Sequence, residues 1–173
     1  MLYIFTGNGK GKTTAALGQA IRAVGEGKRV LMVQFIKGPW KSGEDFLARG
    51  LEPHFRLVKM GKGFVGILGD SLPREEHEKA AEDALNFAAQ EAESGHWDLI
   101  ILDEVNNAVS LHLISVADVI AFLDIANNKV EHIILTGRDA PQEFIDRADL
   151  VTEMHDIKHP YHKGVKGKRG LEY

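Results

Sequence analysis

The sequence predicts an α/β domain with a mostly parallel sheet and helices on both faces. Three observations lead there. Short, unbroken apolar runs of strand length alternate with stretches of helical periodicity. The first such run passes straight into a glycine-rich stretch, Thr6-Gly7-Asn8-Gly9-Lys10-Gly11-Lys12-Thr13-Thr14, and then into a helical pattern. A later run, Leu99 to Leu102, ends in two adjacent carboxylates, Asp103 and Glu104.

The opening run, Leu2 to Phe5, suits a strand buried on both faces. The glycines at 7, 9 and 11 let the backbone curl so that several N–H groups converge. The helix that follows aims its free N–H groups and its dipole at the same point. Lys12 adds a full positive charge and Thr13 a hydroxyl able to ligate a metal ion. Together these are the parts of a polyphosphate site, most often one for a Mg-nucleotide. The pattern is a variant of the phosphate loop, with Thr6 where its first glycine would stand.

Leu17, Ala20, Ile21 and Val24 carry the first helix, which Gly25 and Gly27 end. Arg22 lies on it, either as a solvated surface group or near the ligand. A second buried strand is expected over Val30 to Ile36. The loop Lys37 to Glu44 leaves its carboxyl end, the side on which open parallel sheets bind ligands. Trp40 in that loop either covers a ligand or caps the core. A weaker strand is expected over Phe55 to Met60. The glycine-rich segment 61–70 follows, carrying Phe64, Ile67 and Leu68. These contact a large flat apolar ligand or fold onto the core.

Ser71 and Pro73 announce a long helix that stops near Gly95, with Glu75 and Glu76 in its first turn. The run from Asp98 then delivers Asp103 and Glu104 at a strand end, the acidic partner of a phosphate loop. One carboxylate can hold Mg²⁺ directly or through water and the other can orient a ligand. Ser115 caps another helix, with Asp118 in its first turn. His132 to Leu135 is a further strand, and its polar exit places Arg138 on the edge of the phosphate loop. Pro141 starts a short helix, and Leu150 to Met154 forms the last strand. From about residue 156 the chain is a basic, glycine-rich tail. It is either solvated or a flap whose cations reach a polyphosphate or acidic ligand. His155, His159 and His162 have spacings a metal site could use, but no helix aligns them.

The 173 residues suit one domain, with a net charge of -4 and no cysteine. The acidic balance speaks against a general nucleic-acid binder. The lack of cysteine excludes disulfides, thiolate metal sites and a cysteine nucleophile, and agrees with a cytoplasmic setting. No run reaches membrane-spanning length, and a chain that enters a strand at once is expected to have no signal peptide.

Several of these stretches resemble one family in order along nearly the whole chain. They are GNGKGKTTAA, VQFIKGPWKSGE, Gly63-Phe64, Leu102-Asp103-Glu104, Thr136-Gly137-Arg138 and the closing KH…GVK…GLEY. The family is the phosphate-loop ATP:corrinoid adenosyltransferases, which act on cob(I)yrinic acid a,c-diamide or cob(I)alamin. The resemblance implies a RecA-like fold, a homodimer, and transfer of the 5′-deoxyadenosyl group of ATP to cobalt(I) with release of intact triphosphate. It implies a role in adenosylcobalamin formation, ATP seated in the reverse sense to ordinary NTPases, Mg²⁺ or Mn²⁺ as the metal, and a flavoprotein among the candidate reductants. By match to the family motif, Asn8 to Thr14 hold the triphosphate, with Gly7 opening the loop. Thr13 and Glu104 ligate the metal with Asp103 in support, and Arg22 lies near the nucleotide. Phe64 packs against the corrinoid and helps displace its lower axial ligand, with Trp40 as a further corrinoid contact. Two departures stand out. Some members carry Trp two residues after that Phe, where this chain has Gly66. Some also have a basic N-terminal helix over the site, and that lid is expected to be missing here. The competing reading is a RecA-like ATPase or nucleotide-gated regulatory module, in which Glu104 activates water at the γ-phosphate. A third is a nucleotide binder without activity.

Overall fold

The computed structural model of the chain describes residues 1–38, 40–67 and 70–171. Leu68, expected to offer apolar surface, and the closing Glu172 and Tyr173 lie outside the described residues. The elements run β1 (Leu2–Thr6), α1 (Lys12–Gly25), β2 (Val30–Gln34), α2 (Gly43–Gly50), β3 (Phe55–Lys59), α3 (Arg74–Glu93) and β4 (Leu99–Asp103). They continue with α4 (Val105–Ser110), α5 (Val116–Ala126), β5 (His132–Thr136), α6 (Gln142–Arg147) and β6 (Leu150–Glu153). A 3-10 helix spans Pro160–Lys163.

The six strands form one sheet in the order β3-β2-β4-β5-β1-β6. Every pairing is parallel. Successive side chains of a strand point to opposite faces, and the core divides accordingly. Leu31, Val33, Ile100, Leu102, Leu2 and Ile4 join one cluster with residues of α3, α4 and α5 and with Phe144 of α6. Val30, Met32, Leu99, Ile101 and Phe5 join a second cluster with α1 and α2. Both faces of the sheet are therefore covered, which is why the strands read as continuous apolar runs.

Helix α1 rests on the sheet through Ala16 and Ala20, one turn apart, and their small size lets it lie close. Ile21, expected on that apolar face, is half exposed. Helix α3 buries Ala80, Ala81, Ala84, Leu85, Ala88 and Ala92 on one stripe. Strand β2 ends two residues earlier than expected, at Gln34, because Met60 and Gly61 both turn their N–H groups onto the Gln34 carbonyl. Two short helices, α2 and α4, occupy stretches with no helical signal long enough to read. Helix α2 starts in a capping box between Ser42 and Asp45. Helix α5 starts in another, Ser115 with Asp118.

The strand order places the chemistry. Strands β4, β5 and β1 are consecutive neighbours. The acid pair, the Thr136-Gly137-Arg138 exit and the phosphate loop therefore leave adjacent strand ends on one edge. Strands β2 and β3 bring the Trp40 loop and the Phe64 loop to the same edge. Four strand spacings of about 4.8 Å separate β1 from β3, so the two ends of this edge lie roughly 19 Å apart.

Candidate active site

The phosphate loop has its shape because two glycines meet another backbone. A Cβ on Gly7 would sit 2.5 Å from the Met154 carbonyl oxygen, and one on Gly9 would sit 2.7 Å from the His155 carbonyl carbon. Gly7 and Gly11 also have positive φ, 94° and 121°, which side-chain-bearing residues rarely adopt. The Gly9 N–H donates to the Met154 carbonyl at 2.6 Å. The Lys12 ammonium donates to the carbonyls of Gly7 at 2.7 Å and Gly9 at 2.8 Å. Burial, together with Arg138, lowers the Lys12 pKa against the opposing pull of Glu104, Asp103 and Asp139. Those charges therefore lie near the Lys12 ammonium. Asn8, Lys10 and Thr14 of the same loop are exposed.

Asp103 is fully buried and triply held. Its Oδ1 accepts from Thr13 Oγ1 at 2.8 Å and from Thr136 Oγ1 at 2.7 Å. Its Oδ2 accepts from Gln34 Nε2 at 2.9 Å. The acid at the end of β4 thus locks the hydroxyl of the phosphate-loop threonine. Glu104 differs from its neighbour. It caps α4 in the left-handed region, at φ 64°, a costly conformation for a residue with a side chain. Its backbone N–H donates to Thr136 Oγ1 at 2.9 Å, and that bond helps hold it there. Its Oε2 is buried without a hydrogen-bond partner among the described residues. Burial, then the neighbouring Asp103 charge, pushes its pKa up to about 7.

Lys37 is a cation near this pair that the sequence did not single out. Its ammonium bonds Glu44 at 2.6 Å. Burial pushes its pKa down, but Asp103, Glu44 and Glu104 together outweigh that, and the net direction is up. Arg138 is exposed and takes its place through its backbone N–H, which donates to Asn107 Oδ1 at 3.1 Å. The preceding Gly137 has φ 132°, and a Cβ there would sit 2.6 Å from the same oxygen.

At the other end of the edge, Trp40 and Phe64 face each other with ring centroids 6.0 Å apart. They remain 62% and 61% exposed, so Trp40 does not cap the core. The Trp40 ring lies over Gly38 and Gly63, where added Cβ atoms would meet it at 2.6 Å and 2.9 Å. Ile67 is also exposed at 56%, while Val65 packs against the core. Around Gly66 a Cβ would meet nothing within 4 Å. Lys59 secures the Trp40 loop through the Trp40 carbonyl, Ser42 Oγ and Asp45 Oδ2.

The edge thus gathers Gly7 to Thr14, Asp103, Glu104 and Arg138 at one end and Trp40 with Phe64 at the other. Arg22 is not among them. It is exposed in the last turn of α1, ten residues beyond Lys12, or about 15 Å along the helix. Among the described residues no group of three or more His, Cys, Asp or Glu could hold a metal ion. His162 bonds Asp156 at 2.7 Å instead.

The family model for the ATP:corrinoid adenosyltransferases BtuR/CobO/CobP matches residues 1–173. The chain belongs to this family. It is 37% identical over 174 residues to the corrinoid adenosyltransferase of Escherichia coli, spanning 100% of this chain and 85% of that protein. It is 38% identical to corrinoid adenosyltransferase CobA of Salmonella typhimurium, with the same coverage. In fold, it is similar to the flagellar accessory protein FlaH of Methanocaldococcus jannaschii, with TM-score 0.57 and 14% identity over 88% of this chain and 69% of that one. It is also similar to a KaiC-like protein of Pyrococcus horikoshii, with TM-score 0.52 and 15% identity over 91% and 74%. The RecA-like phosphate-loop architecture expected from the resemblance is the fold observed.

Proposed function

We propose that this adenosyltransferase moves the 5′-deoxyadenosyl group of ATP onto the reduced cobalt of a corrinoid. The observation that supports it most is the linear order of the sheet edge, with an anion grip at the β1 end and a paired aromatic surface at the β3 end. Cobalt(I) supplies the electron pair for the new cobalt–carbon bond. The bond from the ribose 5′ carbon to oxygen breaks, and its electrons leave on the triphosphate. Negative charge therefore grows on the leaving oxygen. The Lys12 ammonium and the free N–H groups at the start of α1 would stabilise it. No general base is needed, because the nucleophile carries no proton. The protein's task is to hold two reactants in line.

A divalent cation, Mg²⁺ or Mn²⁺, fits the residues present. The buried Glu104 Oε2 has no partner among the described residues, and its chain neighbour Asp103 holds the Thr13 hydroxyl at 2.8 Å. Mg²⁺ in nucleotide sites takes one or two carboxylates and completes its shell with phosphate and water. Glu104 and Thr13 would hold it and Asp103 would orient Thr13. The ion would add positive charge against the triphosphate. Phe64 and Trp40 would supply the apolar surface for the corrinoid, with the open space at Gly66 in place of a third aromatic. We place the reaction in the cytoplasm, in a homodimer, with a flavoprotein among the candidate reductants. Among the described residues no helix is long and apolar enough to cross a membrane.

The test is anaerobic incubation with ATP, Mg²⁺ and chemically reduced cobalamin. The expected products are inorganic triphosphate and a light-sensitive cobalt–carbon adduct. ADP and phosphate as the sole products would replace this reading with the ATPase one.

A further inference from the structure

The polypeptide beyond β6 starts and finishes on the phosphate loop. At its start, the Met154 carbonyl accepts from the Gly9 N–H at 2.6 Å, and the Met154 N–H donates to the Thr6 carbonyl at 2.9 Å. At its far end, the Lys10 ammonium donates to the carbonyl of Leu171. The two anchor points are consecutive residues of the loop. The intervening segment 154–171 therefore closes on itself, as compact surface loops with adjoining ends do. It has internal structure. Asp156 bonds His162 at 2.7 Å, the 3-10 helix spans Pro160–Lys163, and Val165 donates to the Pro160 carbonyl at 3.2 Å. A last turn runs from Lys168 to Leu171, where the N–H donates back at 3.1 Å, with Gly170 at φ 81°.

Its charge is the second observation. Lys158, Lys163, Lys166, Lys168 and Arg169 all lie in this segment, against one carboxylate, Asp156, in a chain whose net charge is -4. All five cations are exposed, and among the described residues none forms an ion pair. Isolated surface cations are usually only solvated. These sit on a segment tied at one end to the backbone of the phosphate loop and at the other to its Lys10 side chain, where like charge is costly unless an anion is present.

We propose that residues 154–171 form a cationic strap over the phosphate loop, and that Lys166, Lys168 and Arg169 bind the triphosphate chain there as substrate and as leaving group. The assignment rests on the adenosyltransfer reading and extends its anion site beyond residues 7–14. Lys10 acts as the latch. Its ammonium ties the loop to the strap, and a bound polyphosphate gains cations from both.

The test uses the full chain and inorganic triphosphate with Mg²⁺ as probe, titrated calorimetrically at several salt concentrations. A Lys166→Ala, Lys168→Ala, Arg169→Ala triple variant should bind triphosphate at least tenfold more weakly, with a shallower dependence on salt. Its affinity for adenosine, which lacks phosphate, should stay within twofold of wild type. Equal triphosphate affinity in the two proteins overturns the strap. An equal loss for adenosine and triphosphate also overturns it, since that marks general damage. Amide exchange gives a second readout: Lys10→Met should speed exchange across 154–171, and unchanged protection there removes the latch. None of these measurements needs corrinoid or turnover. A chain that proved to release ADP and phosphate would refute the adenosyltransfer reading and leave the triphosphate result to be judged by itself.

Discussion

Asp103, at the phosphate end of the edge, is 0% exposed and accepts three hydrogen bonds from three different elements. Phe64, at the aromatic end, is 61% exposed and touches Trp40 across 6.0 Å between centroids. One end is a fixed electrostatic device and the other a lightly tethered surface. The difference follows from what each must recognise. A growing negative charge is stabilised only by dipoles already in place, because reorganising them costs what they would give. A broad apolar ligand is held by area, and area tolerates small rearrangement. Rigidity is therefore concentrated where charge moves.

The severest way to break this comparison is to remove the fixed cation. Lys12→Ala deletes the ammonium that bridges the Gly7 and Gly9 carbonyls. It should lower kcat/KM for ATP by roughly 10²- to 10³-fold, or about 3 to 4 kcal/mol of transition-state stabilisation. Steady-state adenosylation under anaerobic conditions measures it. Wild-type kinetics would remove the phosphate loop from the mechanism.

Glu104 sharpens the comparison through pH. Its pKa stands at about 7 in the folded chain against a reference of 4.5, mainly because it is buried. A carboxyl with a raised folded pKa favours folding in its protonated form. Its stabilisation is intact below about pH 4.5 and is lost as pH rises through 7. Glu104→Gln keeps the neutral shape at every pH. At pH 8 the ligand-free variant should be more stable than wild type by about 3 kcal/mol, and at pH 4.5 the two should nearly match. Urea unfolding at both values decides it. A pH-independent difference would mean that Glu104 does not sit ionised in a desolvated site.

The rigid end was also the legible end. Residues 6–14 are contiguous, and their glycine spacing with Lys12 and Thr13 encodes a function locally. Asp103-Glu104 at the end of a continuous apolar run is nearly as local. The partners of Asp103 were hidden, because Gln34 and Thr136 lie 69 and 33 residues away and meet it only through strand order. In the sequence Lys37 is one residue of a loop, and its burial beside the acid pair depends on β2 and β4 being neighbours. Helices α2 and α4 were unread, being too short for periodicity to outweigh the glycines around one and the polar asparagines within the other. At the aromatic end, sequence left Trp40 and Phe64 undecided between core and surface. Nothing local separates those cases, and the structure leaves both exposed.

A milder break acts on that exposed end. Phe64→Ala should reduce kcat/KM for the corrinoid roughly tenfold, about 1.4 kcal/mol, while ATP affinity stays within twofold. Because the ring is largely in solvent, the melting temperature should hardly change. ATP titration, corrinoid kinetics and thermal unfolding of the same variant test the separation. A parallel loss of ATP affinity would show that the two ends are not independent.

The smallest expected effect probes how lightly the surface is tethered. The Lys59 ammonium reaches the Trp40 carbonyl at 2.9 Å, Ser42 Oγ at 2.8 Å and Asp45 Oδ2 at 2.6 Å. It fixes the loop carrying Trp40 to the start of α2 without touching either ring. Burial tends to raise the Asp45 pKa, but the bond from Lys59 and the Ser42 N–H more than reverse this and leave it lowered. Lys59→Met keeps the length of the side chain and removes those bonds. Stability should fall by about 1 kcal/mol, since the remaining carboxylate keeps its Ser42 partners and its access to water. If area alone holds the corrinoid, its KM should rise roughly two- to fivefold and kcat should stay the same, since a looser loop weakens ground-state and transition-state binding alike. A fall in kcat at constant KM would show instead that Trp40 must be fixed when the cobalt–carbon bond forms. The aromatic end would then be as preorganised as the phosphate end, whatever its exposure.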